Sequence, residues 1–270
     1  MYELEYVKKR KRRRIIALAG GVSAIVVITF VIIAFLGRFV GTFTVSLETR
    51  NVALMLSEKE SFEQSSSFLR VNSVATFEEF TYSDLYTKYG GDLALDTEAT
   101  TITYGANYNK DGETIKSLNF FKYTFYVKNT GTQAAIYDFA LNILENARSA
   151  DGRSLDDTLR IIVYEEGEKT VYAKPQSTPR IDEQGNPDYR APISVAKEDA
   201  TEEYPFMGYA EAFVSPSVVT TSSSILLEVG VSKRYTVVTW LEGFRSSSEQ
   251  EAPQGATIKL GVEINAYEIK

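Results

Sequence analysis

The chain has 270 residues, 44% of them hydrophobic, with no Cys and no His, and a formal charge of −7. Lacking Cys, it has no disulfide framework, and lacking His, it has no Ser-His-Asp triad, no Cys-His pair and no H-E-x-x-H zinc helix. The charge is unevenly spread: eight of the 29 Lys and Arg lie within the first 38 residues, whereas 34 of the 36 Asp and Glu follow them. The part beyond Arg38 therefore carries about −13, which argues against nucleic acid as its partner.

Residues 1–14 form a basic tail in which Lys8, Lys9, Arg10, Lys11, Arg12, Arg13 and Arg14 are consecutive. Residues 15–37 follow without a charge. As a helix they would reach about 34 Å at ~1.5 Å per residue, enough to cross a hydrocarbon core of roughly 30 Å. Cations before the span and only Arg38 just after it predict a cytoplasmic N-terminus and an extracellular body. The apolar run is longer than a cleaved signal requires and lacks an A-x-A-like exit, so the expectation is an uncleaved signal anchor in the cell membrane, with the bilayer as its partner.

Beyond the span, period-two alternation predicts a mainly β domain over residues 41–270. "TFTVSLE" sets Phe43, Val45 and Leu47 on one face, a candidate donor or edge strand, and "NVALMLS" does the same with Val52, Leu54 and Leu56. "FEEFTYSDLYTKYGG" and "SLDDTL", the latter capped by Ser154, suggest short helices. "LNFFKYTFYVKNTG" points Phe121, Tyr123, Phe125 and Val127 one way; after a turn at Asn129–Gly131, "AAIYDFALNIL" points Ala135, Tyr137, Phe139, Leu141 and Ile143 inward. The pair reads as a hairpin at the centre of a sheet. "LRIIVYE", "TVYA", "SILLEVGV", "YTVVTWLEG" and "ATIKLGVEINAYEI" add strands, the last with Ile258, Leu260, Val262, Ile264 and Ala266 on one face, and about nine strands joined by turns predict one antiparallel β-sandwich. Trp240 falls on the strand face opposite Tyr235, Val237, Thr239 and Leu241, as a buried or half-buried aromatic.

Residues 174–205 hold five of the seven prolines around "DEQGNPDYR", a long excursion with a small hairpin about Gly185 and Asn186. It is the candidate contact loop, through Pro175, Arg180, Asp182, Asp188 and Tyr189, and is expected to be separable from the fold. Calcium is the one metal the acidic clusters suit, at Asp151, Asp156 and Asp157 or at Asp182, Asn186 and Asp188. Neither cluster fits an EF-hand loop and turn roles explain both, so no cofactor is expected.

"FFKYTFYVKNTGTQAAIYDFALNI" resembles the strand, N-T-G turn, strand unit of the TasA/camelysin group of exported Firmicute proteins. "YTVVTWLEG" followed by "IKLGVEI", and "GTFTVSL" after the span, are similar to the end and the start of such domains. The resemblance implies a jelly-roll-like sandwich exported to the bacterial surface or biofilm matrix, where members polymerise by lending an N-terminal strand. Here the anchor would tether Phe43–Leu47 beside the bilayer, and the metallopeptidase label of camelysin does not carry over to a chain without His. The expectation is a non-catalytic, membrane-anchored surface protein acting in assembly, matrix structure or adhesion, with self-association by β-strand addition. The alternatives are a carboxylate-dependent carbohydrate-active enzyme and a scaffold subunit of a membrane complex, with Gly20, Gly21, Ser23 and Ala24 as a packing face of the span.

Overall fold

In a computed structural model, the structure describes residues 39–50, 52–71, 81–82, 85, 95–96, 120–193, 208–242, 253 and 255–268. They belong to one unit of the chain, Arg38–Lys270. The expected anchor at 15–37 and the basic run Lys8–Arg14 lie outside the described residues. Among the described residues no helix is long and apolar enough to cross a membrane.

The protein is mainly β. Among the described residues fifteen strands run in chain order: β1 (Phe39–Arg50), β2 (Leu54–Ser57), β3 (Phe68–Val71), β4 (Phe120–Asn129), β5 (Ala135–Ala147), β6 (Leu159–Glu165), β7 (Glu168–Ala173), β8 (Arg180–Ile181), β9 (Pro187–Asp188), β10 (Pro192–Ile193), β11 (Gly208–Tyr209), β12 (Glu211–Ala212), β13 (Val218–Leu227), β14 (Ser232–Leu241) and β15 (Thr257–Glu268). One sheet has the order β13-β5-β15-β1-β3 and another the order β12-β7-β6-β14-β4-β2; β8-β9 and β10-β11 are two-stranded.

The two large sheets face each other across one apolar core. The inward sets expected on β1, β4, β5 and β15 all lie in it, joined by Leu159, Ile161 and Val163 of β6 and Tyr235, Val237 and Leu241 of β14. Rings cross between the sheets: Phe43 lies 5.4 Å from Phe121, Phe139 lies 4.8 Å from Tyr235, and the hydroxyls of Tyr137 and Tyr235 hydrogen-bond at 2.6 Å. Alternation on each strand produces this core, since every second side chain turns to the same side.

Three sequence expectations are corrected. First, the sheets are not purely antiparallel, because β1 runs parallel to β15 from Phe39↔Thr257 to Arg50↔Tyr267, and β12 runs parallel to β7. Second, β1 is no edge strand: β15 flanks it on one side and β3 on the other, and Phe43, Val45 and Leu47 are buried. Third, β4 and β5 are not a hairpin but pass from one sheet to the other. The buried Asn129 holds that crossing, its Nδ2 donating to Gln133 O and Leu227 O, each at 2.9 Å, while its Oδ1 accepts the Gly131 N–H. Opposite faces of one chain direction look alike in sequence, so an N-T-G turn specifies a reversal without specifying which sheet receives it. The true tight hairpin is β6-β7, where Glu166 (φ 53°) and Gly167 (φ 90°) supply the two left-handed residues that a two-residue turn needs.

Candidate functional site

The outer faces of the two sheets differ. On the five-stranded sheet, β5 alternates buried and half-buried residues, and its outward side chains meet water. On the six-stranded sheet, β4, β6 and β14 are buried on both faces over most of their length. A second apolar cluster covers the outer face of that sheet, formed by Phe120, Ile162, Tyr164, Val238 and Trp240 of the sheet with Tyr82, Leu85, Leu95, Ala191 and Ile193 over it. Leu85 N–H donates to Thr81 O at 3.0 Å, a helical bond within the segment expected to be a short helix, whose other residues lie outside the described ones apart from Thr81 and Tyr82.

Register sets the chemistry of this covered face in rows. Trp240 lies opposite Phe120 and Arg160, Val238 opposite Lys122 and Ile162, Thr236 opposite Thr124 and Tyr164, and Arg234 opposite Tyr126. The face therefore grades from an aromatic end at Trp240 to a polar end at Arg234. At the aromatic end Glu242 is fully buried; it accepts from Trp240 Nε1 at 2.7 Å and from the Tyr82 backbone N–H at 3.2 Å, and the Tyr82 ring stacks on Trp240 at 5.6 Å. Arg160, 2% exposed, donates to Leu159 O at 3.0 Å and Pro192 O at 3.2 Å. Burial lowers its pKa and the nearby Glu242 carboxylate opposes that shift. In the middle, the hydroxyls of Thr124 and Thr236 pair at 2.9 Å. Lys122, 3% exposed, has its pKa lowered to about 8 by burial, with Asp96 opposing and Arg234 reinforcing the shift.

At the polar end a pocket of about 200 Å³ opens between Glu60, Tyr126, Glu166, Ser232 and Arg234. Arg234 Nη2 donates to the buried Asp96 Oδ2 at 2.6 Å, and its backbone N–H donates to Glu166 Oε1 at 3.0 Å. Phe62 packs edge-on against Tyr126 with centroids 6.4 Å apart, and Lys128 Nζ stands 5.2 Å above the Phe62 ring. None of these five lining residues was singled out from the sequence. They come from a loop, two strands and a turn far apart in the chain, and only pairing brings them together. What the sequence did hold was the continuous apolar character of "LRIIVY" and "VVTWL", which marks strands covered on both faces.

The sequence-predicted residues fall elsewhere. The excursion does form the small β8-β9 hairpin, with Asp182 accepting the Gln184 and Asn186 backbone N–H groups at its tip. Arg190, ahead of Arg180, pulls the Asp188 carboxyl down to about 2, and the Arg180 guanidinium lies 3.6 Å from the centroid of the Tyr209 ring. Ile181 and Tyr189 are exposed. The excursion is not separable as a whole, however, because Ala191 and Ile193 are buried in the second cluster and β10 pairs with β11. Pro175 follows Lys174, whose Nζ binds Asp156 at 3.0 Å and Asp157 at 2.7 Å; Asp151 accepts from Ser149 and Arg153. Ser154 gives no side-chain cap to the 3-10 turn Leu155–Asp157, since its hydroxyl donates to Asn146 Oδ1 instead. Among the described residues no group of three or more His, Asp or Glu is placed to hold a metal.

No protein-family model matches the chain, and no curated protein matches it.

Proposed function

We propose that this protein is a single-pass bacterial surface protein, held in the membrane by residues 15–37 with residues 1–14 in the cytoplasm, whose sandwich acts outside the cell by assembly or adhesion without catalysis. The reading joins the charge asymmetry of the sequence to its resemblance to TasA/camelysin-like matrix proteins, including the jelly-roll-like character of the sandwich.

One observation carries it. Among the described strands, β13, ten residues long and bulged between Ser222 and Ile225, lies at the edge of the five-stranded sheet, with exposed Leu226 on it and exposed Val229 and Val231 just beyond its end. Such an edge offers a row of backbone groups for an added strand, and apolar side chains beside it favour the docking. The other ladder edges among the described strands are short: β3 and β2 have four residues and β12 has two. β1 keeps its place as a candidate donor only by exchange, since it must leave β15 and β3 before a neighbour can take it.

The test is chemical crosslinking of the full-length protein in membranes of its own cells. The wild type is expected to give ladders of self-linked or partner-linked species, and Leu226→Lys with Val231→Lys to abolish them with the unfolding midpoint unchanged. Ladders that persist in the double variant would remove β13 from the assembly, and the sandwich found in the cytosol would overturn the surface reading.

A further inference from the structure

We infer that the pocket lined by Glu60, Tyr126, Glu166, Ser232 and Arg234 is a binding site for an organic cation, a primary ammonium or guanidinium group on a short alkyl stem. This goes beyond assembly through β13 and stands on different residues.

Size comes first. A pocket of about 200 Å³ has the volume of roughly six or seven waters at ~30 Å³ each. It suits a group the size of an amino-acid side chain and is small for a sugar chain. Charge comes second. Three cations of the region have partners: Arg234 donates to Asp96 through Nη2, Lys233 pairs with Glu165, and Lys128 stands over Phe62. Of the carboxylates, Glu60 is exposed and makes no hydrogen bond or ion pair among the described residues, and Glu166 has only Oε1 committed, to the Arg234 backbone N–H. The pocket therefore offers carboxylate oxygens now turned to water, and an ammonium or guanidinium brings donors to them in threes or fives. The Tyr126 wall adds a ring for the cation to approach.

Backbone conformation sets two of the groups in place. Phe62 and Glu166, both at φ 53°, are two of the three non-glycine residues with left-handed backbone among the described residues. Glu166 occupies a turn position where Gly or Asn fits more easily, and that turn sets its carboxylate in the pocket; Phe62 supports the Tyr126 wall. An anion is disfavoured because the carboxylates of Glu60, Glu166 and Asp96 outnumber the one guanidinium of Arg234 at this opening. Calcium is disfavoured because it takes six to eight oxygens, and two carboxylates with hydroxyls are few.

The experiment is calorimetric titration of the full-length protein in detergent with 1,5-diaminopentane and with Nα-acetyl-lysine methylamide, at 50 mM salt. Saturable one-site binding of at least one probe is expected, weakened at least tenfold by Glu60→Gln with Glu166→Gln and weakened again at 300 mM salt. Tetramethylammonium, which has the charge without N–H donors, should bind several-fold more weakly. Preference for the lysine derivative identifies a protein side chain as the natural occupant, and preference for the diamine identifies a free amine. Equal binding to the double variant, no saturable heat with either probe, or displacement of the probe by calcium would each overturn the site. Both glutamates are exposed, so an unchanged unfolding midpoint in the double variant separates loss of binding from loss of fold. Amine binding and β13-dependent crosslinking are read on different variants, so either can fail alone.

Discussion

The two outer faces of the sandwich solve opposite problems. The five-stranded sheet presents Asn142, Glu263 and Asn265 outward, where they reach water and little depends on any one of them. The six-stranded sheet has its outer face roofed, so Arg160, Glu242, Thr124, Thr236 and Lys122 are polar groups without access to bulk water. A covered polar group must find its partners inside the protein, and removing one of a set leaves the others uncompensated. The same kind of substitution should thus cost far more on one face than on the other.

The largest effect is expected at Glu242. Glu242→Ala strands the Trp240 indole N–H and the Tyr82 backbone N–H and removes the carboxylate whose charge opposes the burial penalty on Arg160. Losing one partner of such a buried set costs about 3–5 kcal/mol. Glu263→Ala, the same chemistry on the open face, should stay within about 0.5 kcal/mol. Urea unfolding of both variants measures the contrast; a loss under about 1 kcal/mol for Glu242→Ala would mean that the roof does not exclude water.

Next in size is Tyr137→Phe in the core between the sheets, which leaves the Tyr235 hydroxyl buried without its partner and should cost about 1–3 kcal/mol by the same assay. A loss this size in a residue shared by both sheets calibrates the core against which the two outer faces are compared.

Lys122 turns the comparison into a pH dependence. Its folded pKa, lowered to about 8 by burial, lies below the ordinary lysine value near 10.5, so between those values the unfolded chain holds the proton that the folded protein releases. Stability therefore rises with pH from about 8 towards 10. Tyr123, Tyr137 and Tyr235 act in the other direction: burial raises all three, their unfolded forms ionise near pH 10, and stability falls above that point. A maximum between roughly pH 9 and 10 follows, with a rise of about 1–2 kcal/mol from pH 8 after allowance for screening. Lys122→Met should flatten the rise and keep the fall. A rise that survives in Lys122→Met would assign it to another group.

How much of this was legible in the sequence divides along the same line. The inward sets of β1, β4, β5 and β15 were readable because one face meets a core and the other meets water, which imposes alternation. Trp240 was placed on the correct side of β14, since period two holds whether or not the far side is covered. The crossing at Asn129–Gly131 and the interior position of β1 were not readable, because alternation fixes which way a side chain points and is silent on which strand lies alongside. The pocket was the least legible: Glu60 and Glu166 are 106 residues apart in ordinary polar turns, and only the pairing of β2 with β4, of β4 with β14 and of β14 with β6 brings them to one opening.

The smallest effect is expected at Gly261, on the open face of β15. A Cβ there would lie 2.6 Å from Leu144 Cδ1 and 3.0 Å from Thr44 Oγ1, close enough that something must move. Leu144 is 46% exposed, so its methyl can swing into water at little cost, and Gly261 has an ordinary β conformation in which alanine is not strained. Replacing Gly also narrows the unfolded ensemble, which favours the fold by about 0.4–1 kcal/mol. The two terms oppose, and Gly261→Ala should fall within about 0.5 kcal/mol of wild type. Removing the obstacle first reveals the sign: in a Leu144→Ala background, Gly261→Ala should become stabilising by about 0.5 kcal/mol. A destabilisation above about 1.5 kcal/mol in both backgrounds would mean that the open face is as tightly packed as the roofed one, and the contrast between them would not stand.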